Sequence, residues 1–294
     1  MKKVIWLYWE TPEGEKEPPH ITLCRETITR NSGAEVRLVH SQNFRDYLPG
    51  IHDNIDRIYQ NKEPERHCIP IKTAFIRVFL LEKYGGLYID SDAIVLRPLD
   101  EVFSAIEERG FASTRKTSRP RHHIPNNFLG SVANGKIITM YANHMRYELH
   151  RRTGYDWGEV GSRSLTPLVN GNLDYAAVFP ERRIHPIINN EQENFADTTL
   201  RPADVLQSDA LICMLFHGVF DESHHRQKGL LARYGTRDLY YADNLLGRIL
   251  REALPPAVLG QVPLVESVPR SDEASWNSKS RWDRIRRRFR LQRP

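Results

Sequence analysis

One stretch constrains this chain more than any other: residues 69–100, I-P-I-K-T-A-F-I-R-V-F-L-L-E-K-Y-G-G-L-Y-I-D-S-D-A-I-V-L-R-P-L-D. Ile71, Ala74, Phe75, Val78, Phe79, Leu81 and Tyr84 recur at helical spacing, which predicts a helix. Gly85 and Gly86 stop it, because glycine tolerates the backbone angles that end a helix. Leu87-Tyr88-Ile89 reads as a short buried strand and runs directly into Asp90-Ser91-Asp92. In open α/β sheets the carboxyl ends of strands are where ligands bind. The pattern therefore predicts both a layered α/β architecture and the position of a site.

The flanking sequence alternates in the same way. Residues 3–9, rich in Val, Ile, Trp and Tyr, read as a first strand and 34–40 as a second, with a helix over 21–30 between them. Ser41 is expected to cap a helix carrying Phe44, Tyr47 and Leu48. A short helix is expected over 54–59, and a charged loop over 60–67. After the central stretch come a strand (93–96), a helix (101–108), a strand (111–114) and a basic loop (115–125). The chain re-enters the core at 126–131. An amphipathic helix follows over 136–151, then strands at 175–179 and 209–216. One amphipathic helix is expected over 237–254, stopped by Pro255-Pro256. The alternation predicts crossover helices around a sheet. It places one domain over 1–254, with a linker and basic tail over 255–294.

Composition narrows the class. With 40% hydrophobic and 27% charged residues, the chain is ordinary for a soluble globular protein. Cys24, Cys68 and Cys213 show no C-x-x-C spacing, which argues against a zinc ribbon or disulfide framework and suits a reducing compartment. The apolar start is broken by Glu10, so no signal peptide is expected, and no window is apolar enough to span a bilayer. The net charge of +5 resides in the tail, where residues 279–294 hold eight basic side chains against Asp283. Trp282, Ile285 and Phe289 share one helical face there. That face suits an anionic membrane surface, with nucleic-acid binding or a disordered tail as alternatives.

Two carboxylates leaving one strand can converge on one hard divalent cation such as Mg²⁺ or Mn²⁺. Such a cation can neutralise a diphosphate leaving group. An isolated Asp-x-Asp is usually a solvated turn. Here a helix, a Gly-Gly stop and a buried strand set it at the ligand edge.

The run K-x-x-x-I-R-x-x-x-L-x-x-Y-G-G-L-Y-I-D-S-D resembles the signature of the DXD-motif sugar transferases of the capsular-polysaccharide-synthesis and outer-chain mannosyltransferase-like groups. The resemblance is specific over 72–98 and looser across 3–218. It implies a GT-A-type, Rossmann-like mixed sheet flanked by helices. It implies that Asp90 contacts the donor ribose and sugar and the metal, and that Asp92 binds the metal directly. Arg77 would contact the donor, Trp9 would flank the base, and main-chain groups of Leu7 and Tyr8 would read its edge. His217 matches a metal-site histidine, and an imidazole ligand would favour Mn²⁺ over Mg²⁺. Asn127 falls on an acceptor-side strand as a candidate sugar ligand. Asp156, Glu159 and Asp221 are loop acids, any one of which could assist as a base. One departure is clear. Where similar proteins carry an acid three residues before Arg77, this chain has Ala74.

These readings lead to one expected function. It is a metal-dependent, retaining glycosyl transfer from a nucleotide diphosphate sugar, with a UDP-sugar favoured, to the hydroxyl of a glycan or lipid-linked glycan in capsule or lipopolysaccharide synthesis. The expected location is the cytoplasm, peripheral on the inner face of the membrane, with no nucleic-acid partner. A nucleotidyltransferase is disfavoured because no Gly-rich phosphate loop accompanies the aspartates. The alternative is a non-catalytic glycan- or partner-binding protein on a degenerate scaffold, motivated by Ala74.

Overall fold

The computed structural model describes residues 1–11, 16–118, 122–221 and 229–267. In chain order the elements are β1 (Val4–Tyr8), α1 (Pro19–Asn31), β2 (Glu35–Val39), α2 (Phe44–Tyr47), β3 (Tyr59–Gln60), β4 (Glu63–His67) and α3 (Ile69–Tyr84). Then come β5 (Gly86–Ile89), β6 (Ala93–Val95), α4 (Asp100–Arg109), β7 (Phe111–Arg115), β8 (Phe128–Ser131), α5 (Lys136–Arg151) and β9 (Gly154–Tyr155). The rest are α6 (Ser164–Asn170), β10 (Ala177–Pro180), α7 (Glu181–Ile184), α8 (Pro202–Val205), β11 (Ile212–Met214), α9 (Thr236–Tyr241) and α10 (Leu245–Ala253).

Among the described residues the main sheet has six strands in the order β10-β7-β8-β5-β1-β2. β1 runs parallel to β2 and β5, and β10 parallel to β7. β8 is antiparallel to both β5 and β7. The carboxyl ends of five strands and the amino end of β8 therefore share one edge. Every residue of β1 is buried, as expected for a strand covered on both faces. Its side chains divide by the period of two. Trp6 and Tyr8 join Phe75 of α3 and Tyr141 of α5 in one core layer. Ile5 and Leu7 join Phe103 and Ile106 of α4 in the other. A third cluster packs α1, β11, α9 and α10 together. β6 and β11 form a separate antiparallel pair beside the sheet.

The Gly-Gly stop behaves as predicted. Gly85 and Gly86 have φ of +67° and +102°. A Cβ on Gly86 would stand 2.6 Å from the Val4 carbonyl, so this turn lets β5 dock against β1. Trp6 packs in the core, its Nε1 donating to the Gly85 carbonyl at 2.8 Å.

Four expectations change. Residues 60–67 are not a loop: β3 and β4 form a hairpin, and β3 also pairs with β9. All five residues of β4 are exposed, so a hydrophobic alternation could not reveal it. The 44–48 helix is preceded at its cap position by Asn43 rather than Ser41, and the Asn43 side chain instead accepts from the His40 N–H at 2.8 Å. The single helix over 237–254 is broken into α9 and α10. The Asn244 side chain accepts from the Gly247 N–H at 2.9 Å and starts a new helix. The 54–59 helix is a 3-10 turn at Asp53–Arg57. No helix among the described residues is long and apolar enough to cross a membrane. The aromatic-basic face at 282–289 lies outside the described residues.

Candidate active site

Asp90-Ser91-Asp92 leaves β5 at the shared edge and is fixed on three sides. The Asp90 N–H donates to the Asn127 carbonyl at 3.0 Å, tying the turn to the start of β8. The buried Ser91 hydroxyl donates to the Tyr8 carbonyl at 3.0 Å, tying it to β1. The Leu215 N–H donates to the Asp92 carbonyl at 2.9 Å, tying it to the end of β11. Both aspartate side chains are half-buried.

Arg77 rises from α3 beneath this turn and is 4% exposed. Its Nη2 lies 3.0 Å from Asp90 Oδ1. It also donates to the Asn126 carbonyl, and to the Thr73 carbonyl at 3.3 Å, while its guanidinium sits 4.5 Å from the Tyr88 ring centroid. The side chain expected to contact a donor is thus engaged by protein groups and orients Asp90.

Burial governs the two carboxylates in the crevice. Burial raises the Asp90 carboxyl above its ordinary range, against the pull of Arg77 and Lys116. Asp92 is pushed up to about 7, first by burial and then by the Asp90 charge. Arg77 and Lys116 act on both carboxylates, yet burial still raises both, and an added hard cation would favour their ionised forms. No group of three His, Cys, Asp or Glu side chains positioned to hold a metal occurs among the described residues. The donor set fits the mode in which Mg²⁺-like ions take one or two carboxylates and complete their shell with substrate phosphates and water. His217 is 75% exposed and pairs with Asp221 at 3.2 Å. It would have to turn from that partner to join the aspartates.

Leu7, Tyr8, Trp9 and Asn127 fall along the same edge, whereas Asp156, Glu159 and Ala74 do not. The main chain of Leu7 and Tyr8 lies in register with Leu38 and Val39, and Trp9 extends the ladder through its N–H to the Val39 carbonyl at 3.0 Å. Trp9 is half-buried, its Nε1 donating to the Thr11 hydroxyl at 3.0 Å. Asn127 lies next to Asp90, with its Nδ2 3.1 Å from His185 Nε2 and its Oδ1 without a protein partner. Glu159 is paired with Arg152 at 2.6 Å, and Asp156 accepts from Asn61 at 3.0 Å. Ala74 is 3% exposed in the core between sheet and helices, so that position presents no polar group.

Sequence reading missed several residues here. Glu10 accepts from the Tyr8 hydroxyl at 2.5 Å and from the buried Lys72 ammonium at 3.1 Å. His185, fully buried after α7, touches Asn127. Lys116 follows β7, and Glu181 opens α7 beside it. The one available signal was that 115–125 is a basic loop after a strand. No spacing rule links it to the aspartates, because β8 lies between the strands. A cavity of about 380 Å³ lies behind α3, lined by Leu48, Phe79, Glu82 and Arg146 among others, and holds none of these groups.

The sequence profile of the capsular polysaccharide synthesis protein family matches residues 1–153, just over half of the chain, and the chain belongs to that family. Solved structures similar to it include the PaToxG glycosyltransferase, at 15% identity and TM-score 0.42 over 58% of this chain and 69% of that one. Another is the glycosyltransferase GlyE of Streptococcus pneumoniae TIGR4, at 15% identity and TM-score 0.43 over 92% of this chain and 66% of that one. A third is the galactosyltransferase LgtC in complex with donor and acceptor sugar analogues, at 10% identity and TM-score 0.41 over 88% and 99%. No curated protein sequence matches the chain.

Proposed function

We propose that this chain is a GT-A-type glycosyltransferase that moves a sugar from a nucleotide diphosphate sugar to a glycan hydroxyl. The observation that carries this reading is the pair of half-buried aspartates, clamped by β1, β8 and β11 at the ligand edge of the sheet. Family membership supports a role in building polysaccharide.

Asp90 and Asp92 would hold a divalent cation, Mn²⁺ or Mg²⁺, which supplies Lewis-acid neutralisation of the diphosphate when bound. The protein groups do the rest. Arg77 favours the ionised form of Asp90 against its burial and fixes its direction. Trp9, at the end of β1, offers a ring for the base. Asn127 offers an amide beside Asp90 for a sugar hydroxyl. In the transfer, the bond between sugar C1 and the phosphate oxygen breaks as the acceptor hydroxyl oxygen bonds to C1. The hydroxyl proton leaves with the diphosphate oxygen. Attack from the face of the departing group retains configuration without a covalent intermediate. A UDP-sugar donor and a lipid-linked or envelope-glycan acceptor complete the reading.

Calorimetry with UDP and GDP, with and without Mn²⁺, tests it. Binding should require Mn²⁺ and disappear in Asp92→Ala. Nucleotide binding indifferent to both would refute the metal-diphosphate site. The core position of Ala74 keeps the non-catalytic reading in view, since no acid serves the sugar there. Donor hydrolysis separates the two: a binding protein releases no free sugar from any nucleotide sugar.

A further inference from the structure

Lys116 stands where three elements meet. It follows the last residue of β7, and its main chain bridges to His123, with N–H to carbonyl distances of 2.9 and 3.2 Å. Its ammonium lies 5.5 Å from the ring centroid of Phe216, two residues beyond Met214, the last residue of β11. Phe216 also follows Leu215, which holds the Asp92 carbonyl. The side chain thus reaches from the β7 side toward the β11 side, where Leu215 is bonded to Asp92. β7 and β5 are separated only by β8, so their ends are about 10 Å apart. Its charge acts on both Asp90 and Asp92.

The loop bearing it is held from outside the crevice. The buried Glu181 carboxylate accepts from the Thr117 N–H at 2.7 Å and the Ser118 N–H at 2.8 Å. It also accepts from the Thr117 hydroxyl at 3.2 Å and the Ser118 hydroxyl at 2.7 Å. Four donors from the two residues after Lys116 fix where β7 hands over to the loop. Glu181 is the first residue of α7, directly after β10, which pairs in register with β7.

We propose that Lys116 is the ammonium that meets the diphosphate of the bound nucleotide, and that Glu181 positions it. This rests on the nucleotide-sugar reading above and names a further residue of that site. As the C1–O bond breaks, negative charge gathers on the departing phosphate. A lysine ammonium is a compact point charge suited to phosphate oxygens. The competing role, a simple counter-charge for Asp90 and Asp92, makes an opposite forecast. Removing a counter-charge would leave nucleotide affinity unchanged or tighter, because the cation would bind its carboxylates better.

The test compares UDP with UMP, and GDP with GMP, in the presence of Mn²⁺ by calorimetry on the full chain. Lys116→Gln should weaken the diphosphates about ten- to hundredfold and leave the monophosphates within a factor of about two. Lys116→Arg should restore part of the difference. Glu181→Gln should give a smaller loss with the same selectivity for diphosphate over monophosphate. Equal loss for mono- and diphosphates, or no loss for either, would overturn the proposal. Wild-type protein that binds no nucleoside diphosphate would instead defeat the parent reading and this one together. Binding lost in Asp92→Ala but intact in Lys116→Gln would defeat this one alone.

Discussion

The Arg77 guanidinium lies 3.0 Å from the Asp90 carboxylate, under a turn whose peptide groups are held by three different strands or their ends. This pair links the core helix to the site: α3 packs the sheet, and its one buried arginine aims the first of the two aspartates. Asp90 keeps about a third of its side-chain surface open, so the pair is anchored at one end and wet at the other.

Replacing Arg77 should therefore cost both stability and binding. Arg77→Met leaves Asp90 and the Asn126 carbonyl without their donor. It should destabilise the protein by about 2–3 kcal/mol, below the range for a fully buried pair because water reaches Asp90. Denaturant melts of Arg77→Met against wild type measure it. A loss under about 0.5 kcal/mol would mean the pair is not formed in solution.

The tight approach of β1 and β5 gives a backbone prediction. Gly86→Ala puts a methyl 2.6 Å from the Val4 carbonyl at a φ of +102°. It should cost about 2–4 kcal/mol from overpacking and backbone strain. Gly50→Ala, where a Cβ meets nothing within 4 Å, serves as the control and should stay within about 0.5 kcal/mol. Equal melting temperatures for the two variants would contradict the geometry.

Glu181 makes stability depend on acid. Burial opposes its ionisation, but its four donors outweigh burial and hold the carboxyl below its ordinary 4.5. A depressed carboxylate contributes stability above its unfolded value, and that contribution is lost as pH falls through the folded one. Glu181→Ala should cost about 1–2 kcal/mol at pH 7. The gap to wild type should shrink below pH 4.5. A gap that stays constant from pH 7 to pH 3 would show that the charge contributes nothing.

A substitution at Trp9 tests its proposed contact with the base apart from the fold. Trp9 is half-buried at the end of β1, and its indole N–H donates to the Thr11 hydroxyl. Trp9→Ala should weaken UDP and uridine binding alike, by about tenfold for a lost ring stack, with little change in melting temperature. Nucleoside affinity unaltered by the change would remove Trp9 from the site.

The interruption between α9 and α10 shows what a periodic pattern conceals. Residues 237–254 keep one apolar face throughout, so periodicity joins them. Yet the Asn244 side chain caps a second helix, and a Cβ on Gly247 would fall 2.3 Å from the Ala242 carbonyl. The β3–β4 hairpin failed for the opposite reason. β4 is exposed and largely charged, β3 is two residues long, and the pairing of β3 with β9, nearly a hundred residues later, supplies what the local sequence does not.

By itself the sequence determined the helix, the double-glycine stop, the buried strand and the two aspartates at its end. Each follows from local rules: apolar period, glycine conformational freedom and chain direction. The tertiary structure alone decided what surrounds them. It pairs Arg77 with Asp90, and His217 with Asp221. Lys116, His185 and Glu181 came to the same edge because β7 and β10 run parallel to β5 on the far side of β8. Strand order is set by long-range pairing, and no spacing along the chain records it.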